Sequence, residues 1–317
     1  MQIIHDELEA KVESPIVIVG CQRSGTTLLR TMLERHPGLL VHPYEPQFFL
    51  DLARRHGDEI RDPRAAAAFL RNHPYRAETV SAEAIDAAYD AAGRMSLREF
   101  AQRYLRLWAG DHARGRRLVL KHPYLVHHLD LVYELFPQAT VVHIVRDPRG
   151  NVSSTRARWR KVSVWESAML WRTAVSTGHA LAVKQPRRCV ELRYEDLVRE
   201  PEPTMSRLCA DLGIPFSPRL LQFEMATWSY APGEGGKKVQ YRGPDPSRLG
   251  LWRRYLSPVD VRIIETCCGE QMDLWGYDRT DPAVSGTAFA FRVGMQRLYY
   301  GVRRAARRVR RITWKRG

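Results

Sequence analysis

Four short apolar runs rich in β-branched residues punctuate the chain: Ile16–Gly20, Leu118–Lys121, Thr140–Val145 and Cys189–Leu192. Runs this short, apolar without alternation, are the pattern of strands buried on both faces. Between them the apolar positions recur with helical spacing, over Thr27–Glu34, Leu125–Leu135, Val164–Val183 and Pro203–Leu212. Strands alternating with helices predict an α/β fold, a three-layer sandwich with a central parallel sheet. Ligands of such sheets sit beyond the carboxyl ends of the strands. The residues following Gly20, Lys121, Val145 and Leu192 are therefore the ones to inspect. Residues about 50–115, with Ala65-Ala66-Ala67-Ala68 and several amphipathic repeats, read as a helical insertion over that edge. Residues about 228–250 (Tyr230, Pro232, Gly233, Gly235, Gly236, Gly243, Pro244, Pro246) read as a mobile loop.

Charge changes this picture at one end only. The chain of 317 residues carries a net +15. Beyond Asp281 there is no acidic residue but ten basic ones: Arg292, Arg297, Arg303, Arg304, Arg307, Arg308, Arg310, Arg311, Lys315 and Arg316. Without those ten the net charge falls from +15 to +5, so residues 1–281 are mildly basic and suit an anionic ligand. In the tail, apolar residues recur in steps of four and three at Phe291, Met295, Leu298, Val302, Ala305, Val309 and Ile312. That pattern predicts a basic amphipathic helix able to lie on an anionic membrane surface; a solvated end is the plainer alternative. Nucleic acid is disfavoured, because no base-stacking platform is evident. Met1–Ser14 carries four acidic residues and no apolar run, unlike a signal peptide, and no apolar stretch is long enough to span a bilayer. Five scattered cysteines without a CxxC spacing fit a reducing cytoplasm, with peripheral membrane association through the tail. The expected division is an extension over 1–14, a main domain over 15–281 and the tail over 282–317.

Two of the strand ends carry phosphate-binding chemistry. Gly20-Cys21-Gln22-Arg23-Ser24-Gly25-Thr26-Thr27 joins the first strand to the first helix with the G-x-x-x-x-G spacing of a phosphate loop. Thr26 stands where a nucleoside-triphosphate loop has lysine, which argues against that class and for a single 5′ phosphate-type group, with Arg23 as the cation. After the third strand, Arg146-Asp147-Pro148 opens a segment in which Ser154 lies eight residues on and Arg158 one helical turn further. That arrangement can fold an arginine fork and a hydroxyl onto one phosphate.

Gln22-Arg23-Ser24-Gly25-Thr26-Thr27-Leu28-Leu29, followed by His36-Pro37, resembles the 5′-phosphosulfate loop of sulfotransferases that use 3′-phosphoadenosine-5′-phosphosulfate (PAPS). The likeness is greatest to the bacterial and tyrosylprotein branch and runs from about Pro15 to Tyr277. It implies PAPS as co-substrate, a hydroxyl-bearing acceptor and no metal. Ser24, Gly25, Thr26 and Thr27 would then cradle the 5′ phosphosulfate while Arg23 and Lys121 neutralise it. Arg146, Ser154 and Arg158 would hold the 3′-phosphate. Glu45, in Glu45-Pro46-Gln47-Phe48-Phe49, falls where the family keeps its general base. Lys121, in Lys121-His122-Pro123, resembles the lysine that stabilises the leaving phosphate, and His122 is a rival acid or base. Tyr194, in Tyr194-Glu195-Asp196, is expected at the nucleotide, with Asp196 capping the next helix. Arg248 is expected in a segment closing over the nucleotide. The rival readings are a nucleoside-triphosphate enzyme of phosphate-loop type and a non-catalytic nucleotide or membrane-surface module.

Overall fold

The computed structural model describes residues 11–223, 226–229, 238–241 and 243–314, with side chains outside 226–229, 238–241 and 303–314. A five-stranded parallel sheet is its centre. The strands are β1 (Ile16–Val19), β2 (Leu39–Val41), β3 (Arg117–Lys121), β4 (Thr140–Val145) and β5 (Cys189–Arg193), in the spatial order β2-β3-β1-β4-β5. β1 lies between β3 and β4, with Ile18 opposite both Lys121 and Val142. The order therefore reverses at β1, and the crevice of the sheet opens at its carboxyl end. The edge strand β2 escaped the sequence pattern because only three residues form it.

Pleating sends alternate residues to opposite layers, which is why the strands read as continuously apolar. Ile16 and Ile18, with Val119, Val142 and Ile144, pack under α1 (Thr26–Leu33) and helices that follow β5. Val17, Val19, Leu118 and Leu120 meet the helices inserted between β2 and β3. These are α2 (Gln47–His56), α3 (Pro63–Arg71), α4 (Ala82–Tyr89) and α5 (Leu97–Ala109). Asp62, Ser81 and Ser96 cap α3, α4 and α5, each accepting from a backbone N–H three residues on. Phe48 and Phe49 at the start of α2 are buried against Tyr104 and Phe136. Burying each ring is worth about 1.5–3 kcal/mol, which fixes where the preceding turn lies.

The single helix expected over Leu125–Leu135 is broken. A 3₁₀ turn, Pro123–His127, gives way at His128 (φ −141°) to α6 (Leu129–Leu135). α9 (Tyr194–Arg199) and α10 (Pro201–Asp211) lie with α1 against Ile18, Val142 and Ile144, while α8 (Val164–Lys184) packs through Ala174 on the face of Val17 and Val141, where α7 (Pro148–Arg158) and α11 (Pro258–Leu274) join it. Asp196 does not cap a following helix: it sits inside the first turn of α9. In the segment expected as loop, 226–229 and 238–241 pair antiparallel, while Tyr230, Pro232, Gly233, Gly235 and Gly236 lie outside the described residues. The tail is a helix, α12 (Gly286–Trp314). Among the described residues no helix is long and apolar enough to cross a membrane.

Candidate active site

The loop after β1 is held in a costly shape. Arg23 has φ 71°, a left-handed conformation that costs a non-glycine residue roughly 1–2 kcal/mol. Several bonds over-determine it. Asn151, buried on α7, donates to the Gln22 carbonyl (2.7 Å) and to the Ser24 hydroxyl (3.0 Å). Arg146 donates to the Arg23 carbonyl at 3.2 Å. Gly25 (φ 98°) starts α1 without a side-chain cap, leaving the N–H groups of the first turn for an anion. A Cβ at Gly25 would stand 2.3 Å from the Tyr194 ring, so only glycine lets the loop approach that ring.

The two phosphate motifs meet across the sheet edge. The Arg23 Nε donates to the Ser154 hydroxyl at 3.1 Å, and the Arg146 guanidinium lies 4.5 Å over the Tyr194 ring. Trp171 donates its indole N–H to the Arg146 carbonyl (2.8 Å). Arg23, Arg146, Ser154 and Tyr194, with Thr26 and Thr27, line a cavity of about 1170 Å³. Among the described residues Arg156, Arg160 and Arg248 also face it, against a single carboxylate, Asp245, which pairs with Arg248 at 3.1 Å. Five arginines around one cavity suit a ligand with several phosphate or sulfate groups. Donors, hydroxyls and an aromatic face together match the parts of PAPS.

Two expectations are adjusted by these placements. Arg158, the last residue of α7, is exposed outside the cavity with its guanidinium 6.0 Å over Trp159; Arg156 and Arg160 take the cavity wall instead. The Ser24 side chain is buried on Asn151 and serves the loop rather than the cavity wall. Asn151 and Glu195 were missed as positioning residues, although both stand inside the quoted motifs. Glu195 is buried and accepts from the Asp147 N–H (3.0 Å) and the Tyr277 hydroxyl (2.8 Å), tying β5 to the turn after β4. That burial lifts its carboxyl above the usual range despite those bonds.

The second group gathers at the end of β3. His122 donates its backbone N–H to Ile18 (3.0 Å), and Gly20 donates to Pro123 (3.3 Å), so this turn is strapped to the start of the phosphate loop. Lys121 is 2% exposed and its ammonium is salt-bridged to Glu45, whose side chain is 27% exposed. Burial alone would raise the Glu45 carboxyl; the Lys121 charge and bond, aided by His122, outweigh it and hold Glu45 below its ordinary value. Arg30 on α1 is buried: it pairs with Glu34 (2.7 Å) and reaches the His42 (3.3 Å) and Pro43 (3.5 Å) carbonyls. Its guanidinium thus links the phosphate-loop helix to the turn bearing Glu45.

His122 is buried beside this pair, and burial pushes its pKa down to about 4. Its Nε2 lies 2.7 Å from Gln47 Oε1, while the Gln47 amide N–H donates to Asp51 (3.2 Å). A carboxylate only accepts, so the Gln47 oxygen faces His122 and the His122 proton sits on Nε2. Near neutral pH His122 is uncharged, and Lys121 supplies the main positive charge that keeps Glu45 ionised.

A sequence model described as the sulfotransferase family matches residues 15–218, more than half of the chain. The chain belongs to the sulfotransferase family. The donor of that family is PAPS, and the cationic cavity fits it. This sulfotransferase is 27% identical to the omega-hydroxy-β-dihydromenaquinone-9 sulfotransferase of Mycobacterium bovis over 85% of its length and 77% of that protein. It is 27% identical to protein-tyrosine sulfotransferase 1 of Danio rerio over 67% of its length and 57% of that protein. The solved sulfotransferase domain of the Synechococcus olefin synthase superposes with a TM-score of 0.60 at 26% identity, covering 84% of this chain and 95% of that one. The named acceptors of the first two carry hydroxyls.

Proposed function

We propose that this sulfotransferase moves the sulfuryl group of PAPS in one in-line step to an acceptor hydroxyl, with Glu45 as general base. The acceptor oxygen forms a bond to sulfur as the bond between sulfur and the 5′-phosphate oxygen breaks. The hydroxyl proton passes to Glu45, and the bonding electrons leave with adenosine 3′,5′-bisphosphate. Arg23 and the first turn of α1 receive the 5′ phosphosulfate, and Arg146 with Ser154 receives the 3′-phosphate. Lys121 keeps Glu45 ionised and offers its charge to the departing phosphate. The observation that carries this reading is the Glu45–Lys121 pair on a strand end strapped to the phosphate loop. Independently of that chemistry, the ten basic residues beyond Asp281 support an anionic membrane surface as partner of the tail.

Glu45→Gln tests the base. Single-turnover transfer with saturating PAPS should fall by roughly two orders of magnitude or more, with affinity for the bisphosphate product changed less than tenfold. A mutant transferring at the wild-type rate would remove Glu45 from this role. Glu45→Asp keeps the charge on Lys121 and separates lost chemistry from lost packing: it should fold normally and transfer faster than Glu45→Gln.

A further inference from the structure

Helix α12 has two apolar faces. Phe289 and Val293 pack against the body, Gln296 accepts the Trp165 backbone N–H (2.8 Å), and Tyr300 lies 5.2 Å from the Trp165 ring. Positions 289, 293, 296 and 300 follow one helical stripe. Positions 291, 295, 298 and 302 form a second stripe two residues on, about 200° around the helix axis. That stripe points away from the protein: Phe291 is 72% exposed, Leu298 65% and Val302 61%. In sequence it continues through Ala305, Val309 and Ile312. Arginines flank it, and beyond Asp281 no acidic residue interrupts them.

We propose that α12 seats the protein on an anionic bilayer, with Phe291, Met295, Leu298 and Val302 toward the acyl chains. Charge selects this occupant. A second copy of the helix would bring two arginine-rich flanks together, whereas anionic headgroups complement them. The docked face gives the seat a consequence. Tyr299 donates its hydroxyl to the Lys161 carbonyl (3.1 Å), and the neighbouring Arg160 lines the nucleotide cavity. Tyr255, another exposed aromatic residue, lines the same cavity. A bilayer against α12 therefore lies beside the cavity rim, and the acceptor is an amphiphile that presents its hydroxyl from the membrane. This second half rests on the sulfuryl-transfer reading; the seat itself does not.

The experiment uses the full chain and Met295→Glu/Leu298→Glu, which leaves the docked face intact. Deleting the tail would instead uncover Trp165. Flotation with vesicles of equal parts phosphatidylcholine and phosphatidylglycerol should recover the wild type at least tenfold better than the double variant. Phosphatidylcholine alone should recover little of either. Equal flotation of both proteins, or a double variant that loses self-association but no lipid binding, overturns the seat. Transfer is then compared for hexadecylphenol in those vesicles and for soluble para-nitrophenol, with labelled PAPS. The variant should lose at least tenfold on the first and be unchanged on the second. An equal loss on both overturns the membrane-borne acceptor. No transfer to either by wild type, with flotation intact, counts against the sulfuryl-transfer reading instead and leaves the seat standing.

Discussion

The Arg23 guanidinium reaches the Ser154 hydroxyl across 131 positions of sequence, joining the loop after β1 to the helix after β4. Arg146 completes the link through the Arg23 carbonyl. We predict that Arg146→Ala weakens binding of adenosine 3′,5′-bisphosphate by about 1.5–3 kcal/mol, the worth of a charge-assisted bond. Adenosine 5′-phosphosulfate, which lacks the 3′-phosphate, should lose markedly less. Calorimetry with both ligands decides it. Identical losses would mean that Arg146 only supports the loop.

What the sequence disclosed follows from how local each signal is. Gly20 through Thr27, and Arg146 with Ser154, are contiguous motifs at strand ends, and the parallel sheet brings them together. Arg158, the last residue of α7, turns its guanidinium over Trp159 rather than into the cavity, a choice that spacing along the helix does not reveal. Asn151 was unreadable because its work is to hold carbonyl and hydroxyl groups 127–129 residues away. The Glu45–Lys121 ion pair, 76 residues apart, depends on where α2 and its buried phenylalanines settle. The tail pattern was visible, but not which stripe faces out. The stripe singled out by its spacing is the solvent-facing one, and the docked residues Phe289, Val293, Gln296 and Tyr300 mix polar with apolar.

Packing of the sheet on α8 supplies a stability test. A Cβ at Gly178 would come within 2.3 Å of the His143 ring, which is fully buried on β4. Gly178→Ala should therefore cost about 1–3 kcal/mol, the usual penalty for overpacking, despite alanine's better helix propensity. Urea denaturation reads this directly. Gly178→Ala/His143→Ala should cost less than the sum of the single changes. Strictly additive losses would show that the ring contact is not the cause.

Acid should weaken the fold before its carboxylates titrate. Burial pushes both His42 and His122 down to about 4 from the ordinary 6.5. Above the unfolded value both states are neutral and stability is complete. As pH falls toward about 4, the unfolded chain takes up protons that the folded chain refuses, so stability is lost. By pH 5 each histidine should account for about 2 kcal/mol. Glu195, raised by burial, works in the opposite direction. The clean measurement is therefore differential: His42→Asn should flatten the decline in unfolding free energy between pH 7.5 and 5. A slope unchanged by that substitution would refute the assignment.

His122 is the remaining competitor for the proton of the acceptor. Its Nε2 proton is committed to Gln47, whose orientation is set by Asp51, and its buried Nδ1 has no hydrogen-bond partner among the described residues. An imidazole with a pKa of about 4 also has less driving force to take a proton than one near neutrality. Glu45 is a weak base too, but it is more exposed and held ionised by Lys121. We predict that His122→Asn lowers single-turnover transfer by less than about tenfold, well short of the loss expected from a missing general base. The acid limb of the pH–rate profile should persist in His122→Asn and disappear in Glu45→Gln, because it reports protonation of Glu45. Loss of that limb in His122→Asn, with bisphosphate affinity unchanged, would move the base from the carboxylate to the imidazole.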